Sequence, residues 1–410
     1  MATYEQCPPY AVGPKLARPV EFICFALLVT NLVCLFIAYA QTAWSAAPNS
    51  STPDFVLLWA AGRIALAGHA AAAYDWPTLK PLQASILGHP VSGYLGWLYP
   101  PTVFFIAVPL SLLPYAGAFV LWVSSTFMAY LAAIRAIIGD RVGYFLAASI
   151  PSVLANFIVG QNGLLSASLI GGALILMERQ PISAGVLLGL LSYKPHLGLL
   201  FPIALLVSGR WLVLTSAAVV AALMAGASWA AFGSESWDAF LFGIGHAVSI
   251  ETFADWGKLQ SAFGLVRALG GSETLAWLVQ VVVALVVTCA VALLWRSAAT
   301  YEIKAAGLST GVLLVASHIH IYDLAILAVP LAFLFRLGSE RGFLPHELAG
   351  MGSACLLVLM FSFIVAPVGF VAVLVVAGLV AYRALAEHRG EGPEGKAQTE
   401  SPRRKGREGM

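Results

Sequence analysis

The chain has 410 residues, 60% of them hydrophobic and only 10% charged, against roughly 25% charged in an ordinary soluble domain. Its formal net charge of +2 is small and scattered, which excludes nucleic acid as a partner. Long uncharged runs define instead an all-α polytopic membrane protein held in a lipid bilayer.

Residues 22–44, 102–134, 142–177, 211–234, 276–295 and 350–382 contain no Asp, Glu, Lys or Arg. A spanning helix needs only about 20 apolar residues, so the longer runs must fold back as hairpins. The first span is expected over about 21–43. Lys15 and Arg18 precede it and Ala38-Tyr39-Ala40 closes it, so a cleaved signal peptide and a retained signal anchor are both compatible. Its apolar core exceeds the usual length of about 7–15 residues for a signal peptide, which favours the anchor.

With the N-terminus inside, this span exports a first outer loop, residues 44–114, holding Asp54, Arg63, Asp75, Lys80 and Trp97-Leu98-Tyr99-Pro100-Pro101. The apolar stretch 102–113 would be only about 18 Å long as a helix. It contains Pro109 and ends at Pro114, so it reads as re-entrant or interfacial, and the next full span is expected over 115–138. Arg135, Arg141, Arg179, Arg210, Arg296, Lys304, Arg336 and Arg341 then all fall on the cytoplasmic side, as the positive-inside rule asks. This register requires 182–208 to be two short helices meeting at Lys194-Pro195; one helix kinked at the proline would invert everything downstream.

The result is about twelve spans with interfacial helices in the first outer loop, a second large outer loop at 233–275 and both termini cytoplasmic. Residues 1–386 form a single membrane domain, and the charged, Gly- and Pro-rich tail 387–410 is expected to be disordered. No internal repeat and no matched pair of broken helices is evident, which weighs against a transporter. The five cysteines are Cys7, Cys24, Cys34, Cys289 and Cys355. All but Cys7 fall in apolar spans, so neither a disulfide nor a metal framework is indicated.

This topology gathers the unusual polar elements on the outer face: Asp54, Tyr99-Pro100-Pro101, Gly160-Gln161-Asn162-Gly163, Lys194-Pro195 and Ser317-His318-Ile319-His320-Ile321-Tyr322-Asp323. Lipid penalises such groups, so together they form a candidate site. Each also has a plainer reading. Asp54 can favour the positive end of a helix, Gly160-Gln161-Asn162-Gly163 can be a turn, and Lys194 can snorkel to headgroups. Arg63, nine residues beyond Asp54, points about 180° away on a straight helix and reads as a headgroup anchor. His318 and His320 lie about 200° apart if helical. No second ligand cluster supports them, so no metal is expected.

The ordered set Asp54-Phe55, Ala61 and Gly68, Tyr74-Asp75, Tyr99-Pro100-Pro101, Pro109-Leu110, Leu113-Pro114, Gly160-Gln161-Asn162, and Gly185, Gly189, Lys194-Pro195 resembles glycosyltransferase family 87 over roughly residues 50–340. The resemblance implies a GT-C fold and a hexosyltransferase, mannosyltransferase-like, that moves a sugar from a polyprenyl-phosphate donor to a lipid or glycan acceptor. Transfer would occur on the extracytoplasmic face of a bacterial inner membrane, with no cofactor. It assigns Asp54 as the general base. Lys194, Gln161, Asn162, His318, His320, Tyr99 and Arg63 are the candidate substrate contacts. The chain departs from the family at Ala316-Ser317-His318, where members often carry a proline. The competing reading from the residues is a transporter or flippase of polyprenyl-linked glycolipids.

Overall fold

The computed structural model describes residues 14–44, 54–91, 94–247 and 256–389, and these form only α- and 3-10 helices. Thr52-Pro53, Glu251, Asp255, Cys7 and the tail from residue 390 lie outside the described residues.

The first helix, α1 (Pro14–Trp44), runs unbroken through residues 38–40 and at 31 residues is about 46 Å long. The first loop then supplies α2 (Phe55–Leu66), a 3-10 turn (Ala70–Tyr74), α3 (Trp76–Leu87) and the short α4 (Phe104–Ser111). α2 is buried on much of its surface, and Gly62 lets it lie directly on the backbone of α4 at Ala107. Helix α4 ends at Ser111, and Pro114 caps α5 (Tyr115–Ile138), the full-length helix expected there.

The next run is broken. Ile150, extended because Pro151 follows it, separates α6 (Val142–Ser149) from α7 (Ser152–Val159) by a 65° bend. Gly160, at φ +69°, turns the chain into α8 (Gly163–Leu176). The Trp122 indole donates to the Gly160 carbonyl at 3.0 Å, while Ala133 and Ile137 meet Gly171 further along. Helices α5 and α8 are therefore parallel, and α6 with α7 carries the chain back between them.

The same logic decides the Lys194-Pro195 break. Helix α9 (Pro181–Leu190) ends in a 3-10 turn (Leu191–Tyr193), another follows (Pro195–Leu197), and α10 (Leu200–Val207) leads to α11 (Trp211–Phe232). Gly185 lies against Val213 and Ser216, and Gly189 against Ala217 and Val220, so α9 and α11 run in the same direction. Residues 194–207 must return between them. This is the two-helix arrangement that the proline and lysine predict, with Lys194 at its tip.

The second large loop holds α12 (Ser234–Ala247), a 3-10 turn (Trp256–Lys258) and α13 (Ala262–Ala268). Then α14 (Glu273–Arg296) and α15 (Tyr301–Val315) pack antiparallel: the Trp295 indole donates to the Lys304 carbonyl at 3.0 Å, and Gln280 reaches the Val315 carbonyl at 2.9 Å. A 3-10 segment (Ile321–Leu327) runs into α16 (Ala328–Arg341), followed by α17 (Glu347–Met360) and α18 (Val368–His388). The last helix extends two residues past the expected end of the domain at 386.

Five described stretches, 115–138, 211–232, 273–296, 321–341 and 368–388, are long and apolar enough to cross a bilayer, and six if the bent α6–α7 pair counts as one. These stretches account for five or six passes, and the larger number expected from the sequence rests on α1 and on the shorter apolar helices. Basic groups collect at one end of the bundle, where Arg210 pairs with Glu178 at 3.0 Å and Arg336 donates to the Ile137 carbonyl at 3.4 Å.

The close α9–α11 contact is directly testable. A Cβ on Gly189 would press on Val220 and the Ala217 carbonyl, whereas one on Gly226 of α11 meets open space. Gly189→Ala is expected to cost about 1–3 kcal/mol by overpacking, read as a lowered melting temperature in detergent, with Gly226→Ala unchanged.

Candidate active site

One continuous hydrogen-bonded chain joins the polar elements at the other end of the bundle. Its best-buried members are Lys194, 6% exposed, and Asp323, 1% exposed. Lys194 Nζ donates to Asp323 Oδ1 at 2.5 Å and to Asn162 Oδ1 at 2.9 Å, and lies 5.3 Å from the centre of the Tyr322 ring. The other carboxylate oxygen of Asp323 accepts from the His320 backbone N–H at 3.2 Å.

From Lys194 the chain runs on toward Asp54. The Asn162 amide nitrogen donates to the Tyr99 hydroxyl at 2.7 Å, the hydroxyl donates to Gln161 Oε1 at 3.0 Å, and Gln161 Nε2 donates to Asp54 Oδ2 at 3.0 Å. The order fixes each amide, because a carboxylate can only accept and an ammonium can only donate. Burial pushes the Tyr99 phenol far above its ordinary pKa, so it stays protonated and keeps its place as a donor.

Local sequence explains why these groups meet. Gln161 and Asn162 sit between two glycines with different tasks. Gly160 supplies the left-handed backbone that ends α7, and Gly163 lets α8 begin against the Tyr322 carbonyl, where any side chain would collide. Asn156 of α7 donates to that same carbonyl at 2.9 Å. Tyr99 is held through its own carbonyl, which accepts from the Tyr74 hydroxyl at 2.8 Å, and Trp97 stacks on Phe104 beneath it.

Asp54 immediately precedes α2, yet its side chain makes no capping bond to that helix. The carboxylate turns to Gln161 instead, and Oδ1 has no hydrogen-bond partner among the described residues. Burial raises its pKa, opposed by the Gln161 bond and by the positive charge of Lys258. Asp54 thus stands at the N-terminus of α2, as the helix-end reading has it, but its side chain makes its hydrogen bond elsewhere.

Residues 316–320 are not helical, which corrects the 200° separation expected of the two histidines. Helix α15 stops at Val315, and the second loop straps the stretch open: Gln260 N–H donates to the Ile319 carbonyl at 2.6 Å and Ser261 to the Ser317 carbonyl at 2.5 Å. His318 packs by Phe263 and Trp277, whereas His320 stacks flat on Tyr322 at 5.3 Å. Burial lowers the His320 pKa to about 4, so the ring is neutral near pH 7. No group of three potential metal ligands converges among the described residues.

The geometry thus joins Asp54, Gln161, Tyr99, Asn162 and Lys194 and sets His320 beside them through Asp323 and Tyr322. Arg63 is not brought in: it is exposed, lies over the Trp59 ring at 5.6 Å, and sits about 13 Å along α2 from Asp54. Asp323 and Lys258 are the additions to the expected set. A buried lysine needs a counter-charge, and Asp323, in the polar stretch after α15, was the available signal. Lys258 carried no such signal, since only the fold brings its charge within reach of Asp54.

Fold and site together define an all-helical integral membrane protein with a carboxylate-ended polar network at one end of its bundle. The chain belongs to glycosyltransferase family 87, whose family model matches residues 97–317. It is accordingly a glycosyltransferase. The matched stretch contains Tyr99, Gln161, Asn162 and Lys194 and stops just before His318; Asp54 precedes it. No curated protein and no solved structure matches the chain.

The Lys194–Asp323 pair gives a second test. Asp323→Asn strands a buried ammonium and is expected to destabilise by about 3–5 kcal/mol. Lys194→Met with Asp323→Leu removes both charges and should recover most of that loss in the same thermal melts. Equal melting temperatures for the single variant and the wild type would refute the pairing.

Proposed function

We propose that the protein is an inverting hexosyltransferase of the polytopic GT-C type, with about twelve spans, that uses a polyprenyl-phosphate sugar, mannose or a similar hexose. Its acceptor is a lipid or glycan hydroxyl, and the reaction takes place on the extracytoplasmic face of a bacterial inner membrane. The observation that carries the reading is the posture of Asp54. One carboxylate oxygen is fixed by Gln161, while the other, without a hydrogen-bond partner among the described residues, is left to take a proton.

In the proposed step the acceptor hydroxyl loses its proton to Asp54 Oδ1 as its oxygen bonds to the anomeric carbon. The bond from that carbon to the phosphate oxygen breaks, and the electron pair leaves with the polyprenyl phosphate. General-base assistance of this kind is worth roughly 10²–10⁴-fold. The leaving phosphate needs positive charge or donors nearby. Lys194 and Lys258, whose fields both reach His320 and of which Lys258 also reaches Asp54, supply the positive charge on this side of the network. Neutral His320 can add one donor. Tyr99, Gln161 and Asn162 hold the base and border the sugar.

Purified protein offered synthetic polyprenyl-phosphate hexoses and candidate acceptors tests this. Asp54→Asn is expected to lose at least about 100-fold in kcat; wild-type rates in that variant would remove Asp54 from the mechanism. The base must be ionised, so activity should fall as pH drops through the Asp54 pKa, at a midpoint above the ordinary carboxylate value because burial raises it. Gln161→Leu deletes the hydrogen bond that favours the carboxylate and should move this midpoint higher still.

A further inference from the structure

The opposite end of the bundle carries a second polar feature that the transferase reading does not use. A cavity of about 440 Å³ lies where the α10–α11 turn meets the end of α14 and the start of α15, lined by Val207, Ser208, Arg210, Trp295, Arg296, Ser297 and Lys304. Its size is that of a small-ligand site. Helix α15 separates it from the Asp54 network: the first turn of that helix borders the cavity, and its last turn, about 22 Å away, leads into His318 and His320.

The cavity wall is built rather than incidental. The Arg210 guanidinium lies 5.6 Å from the Trp295 ring centre and 5.4 Å from that of Tyr301, and is oriented by Glu178 at 3.0 Å. Both rings are themselves fixed, since the Trp295 indole donates to the Lys304 carbonyl and the Tyr301 hydroxyl to the Leu174 carbonyl. Arg296 and Lys304 have no ion-pair partner among the described residues. The site stays net positive even when Glu302, which acts on Tyr301 from the first turn of α15, is counted with Glu178.

A planar guanidinium held in place, with two further cations beside it, matches a phosphate ester, which offers several acceptor oxygens to converging donors. Basic pockets between the ends of membrane helices suit anionic headgroups in the same way. We propose that this cavity binds a phosphate ester anion, either the headgroup of an anionic glycerophospholipid or a soluble phosphate. The site is independent of the Asp54 chemistry and would remain if that reading failed.

Full-length protein in detergent, examined by native mass spectrometry with phosphatidylglycerol or phosphatidylcholine, tests it. Phosphatidylglycerol should be retained preferentially, and Arg296→Gln with Lys304→Gln should weaken it by about 10-fold or more. Lys80→Gln, an exposed cation on α3, should leave retention unchanged. Melting temperature verifies that the double variant is folded, and Arg296→Gln alone, at an exposed position, gives a milder second variant. Titration with inorganic phosphate separates the sources: competition with the lipid, or binding without it, that is lost in the double variant marks a soluble phosphate, and indifference to phosphate marks the headgroup. Equal retention of the two lipids without phosphate binding overturns the proposal. So does wild-type binding by the double variant, or an equal loss in Lys80→Gln.

Discussion

A buried ammonium group has to be answered, and much of this fold is arranged around answering the one on Lys194. Taking a lysine charge out of water costs several kcal/mol unless an opposite charge and hydrogen bonds replace the solvent. Asp323 supplies the charge and Asn162 the further acceptor. Those three residues come from three separate places: the tip of the broken α9–α10 run, the start of the 3-10 segment before α16, and the glycine-bounded turn before α8. The ion pair cannot form unless all three arrive at the same level. It therefore sets the depth of the elements that carry Gln161, Tyr322 and His320.

The consequence reaches Asp54 through the polarity of the hydrogen bonds. Every donor between Lys194 and Asp54 points the same way, from the cation to the carboxylate. Bonds aligned in series polarise one another, so each strengthens the next. The alignment favours the ionised form of Asp54, while desolvation by burial favours the neutral form. Burial wins in direction, which leaves a carboxylate of raised basicity that is still held in a defined orientation. That combination suits a proton acceptor better than either effect alone, because a base gains driving force as its pKa climbs toward the working pH.

How much of this was legible in the sequence depended on whether the signal was local. Pro114 marked the start of α5, and Lys194-Pro195 marked the reversal between α9 and α10, because proline acts on its own backbone and that of its neighbour. The charge-free runs located the apolar helices for a similar reason. The strap across 316–320 was not legible: His318 and His320 lie in an extended stretch only because Gln260 and Ser261, more than fifty residues earlier, occupy its carbonyls. Asp323 and Arg63 show the same limit from opposite sides. Asp323 gains its importance from a lysine 129 residues away, and Arg63 loses its place because α2 carries it away from Asp54.

The turn Gly160-Gln161-Asn162-Gly163 shows why a plain structural reading and a functional one need not compete. It is a turn, and its glycines are explained entirely by backbone geometry and close packing. That same tightness removes any freedom from Gln161 and Asn162, whose amides must each satisfy one neighbour as donor and another as acceptor. A looser turn would let the amides rotate and break the one-way order of the chain. The rigidity that makes the sequence look like an ordinary turn is thus what lets its two amides transmit an orientation to Asp54.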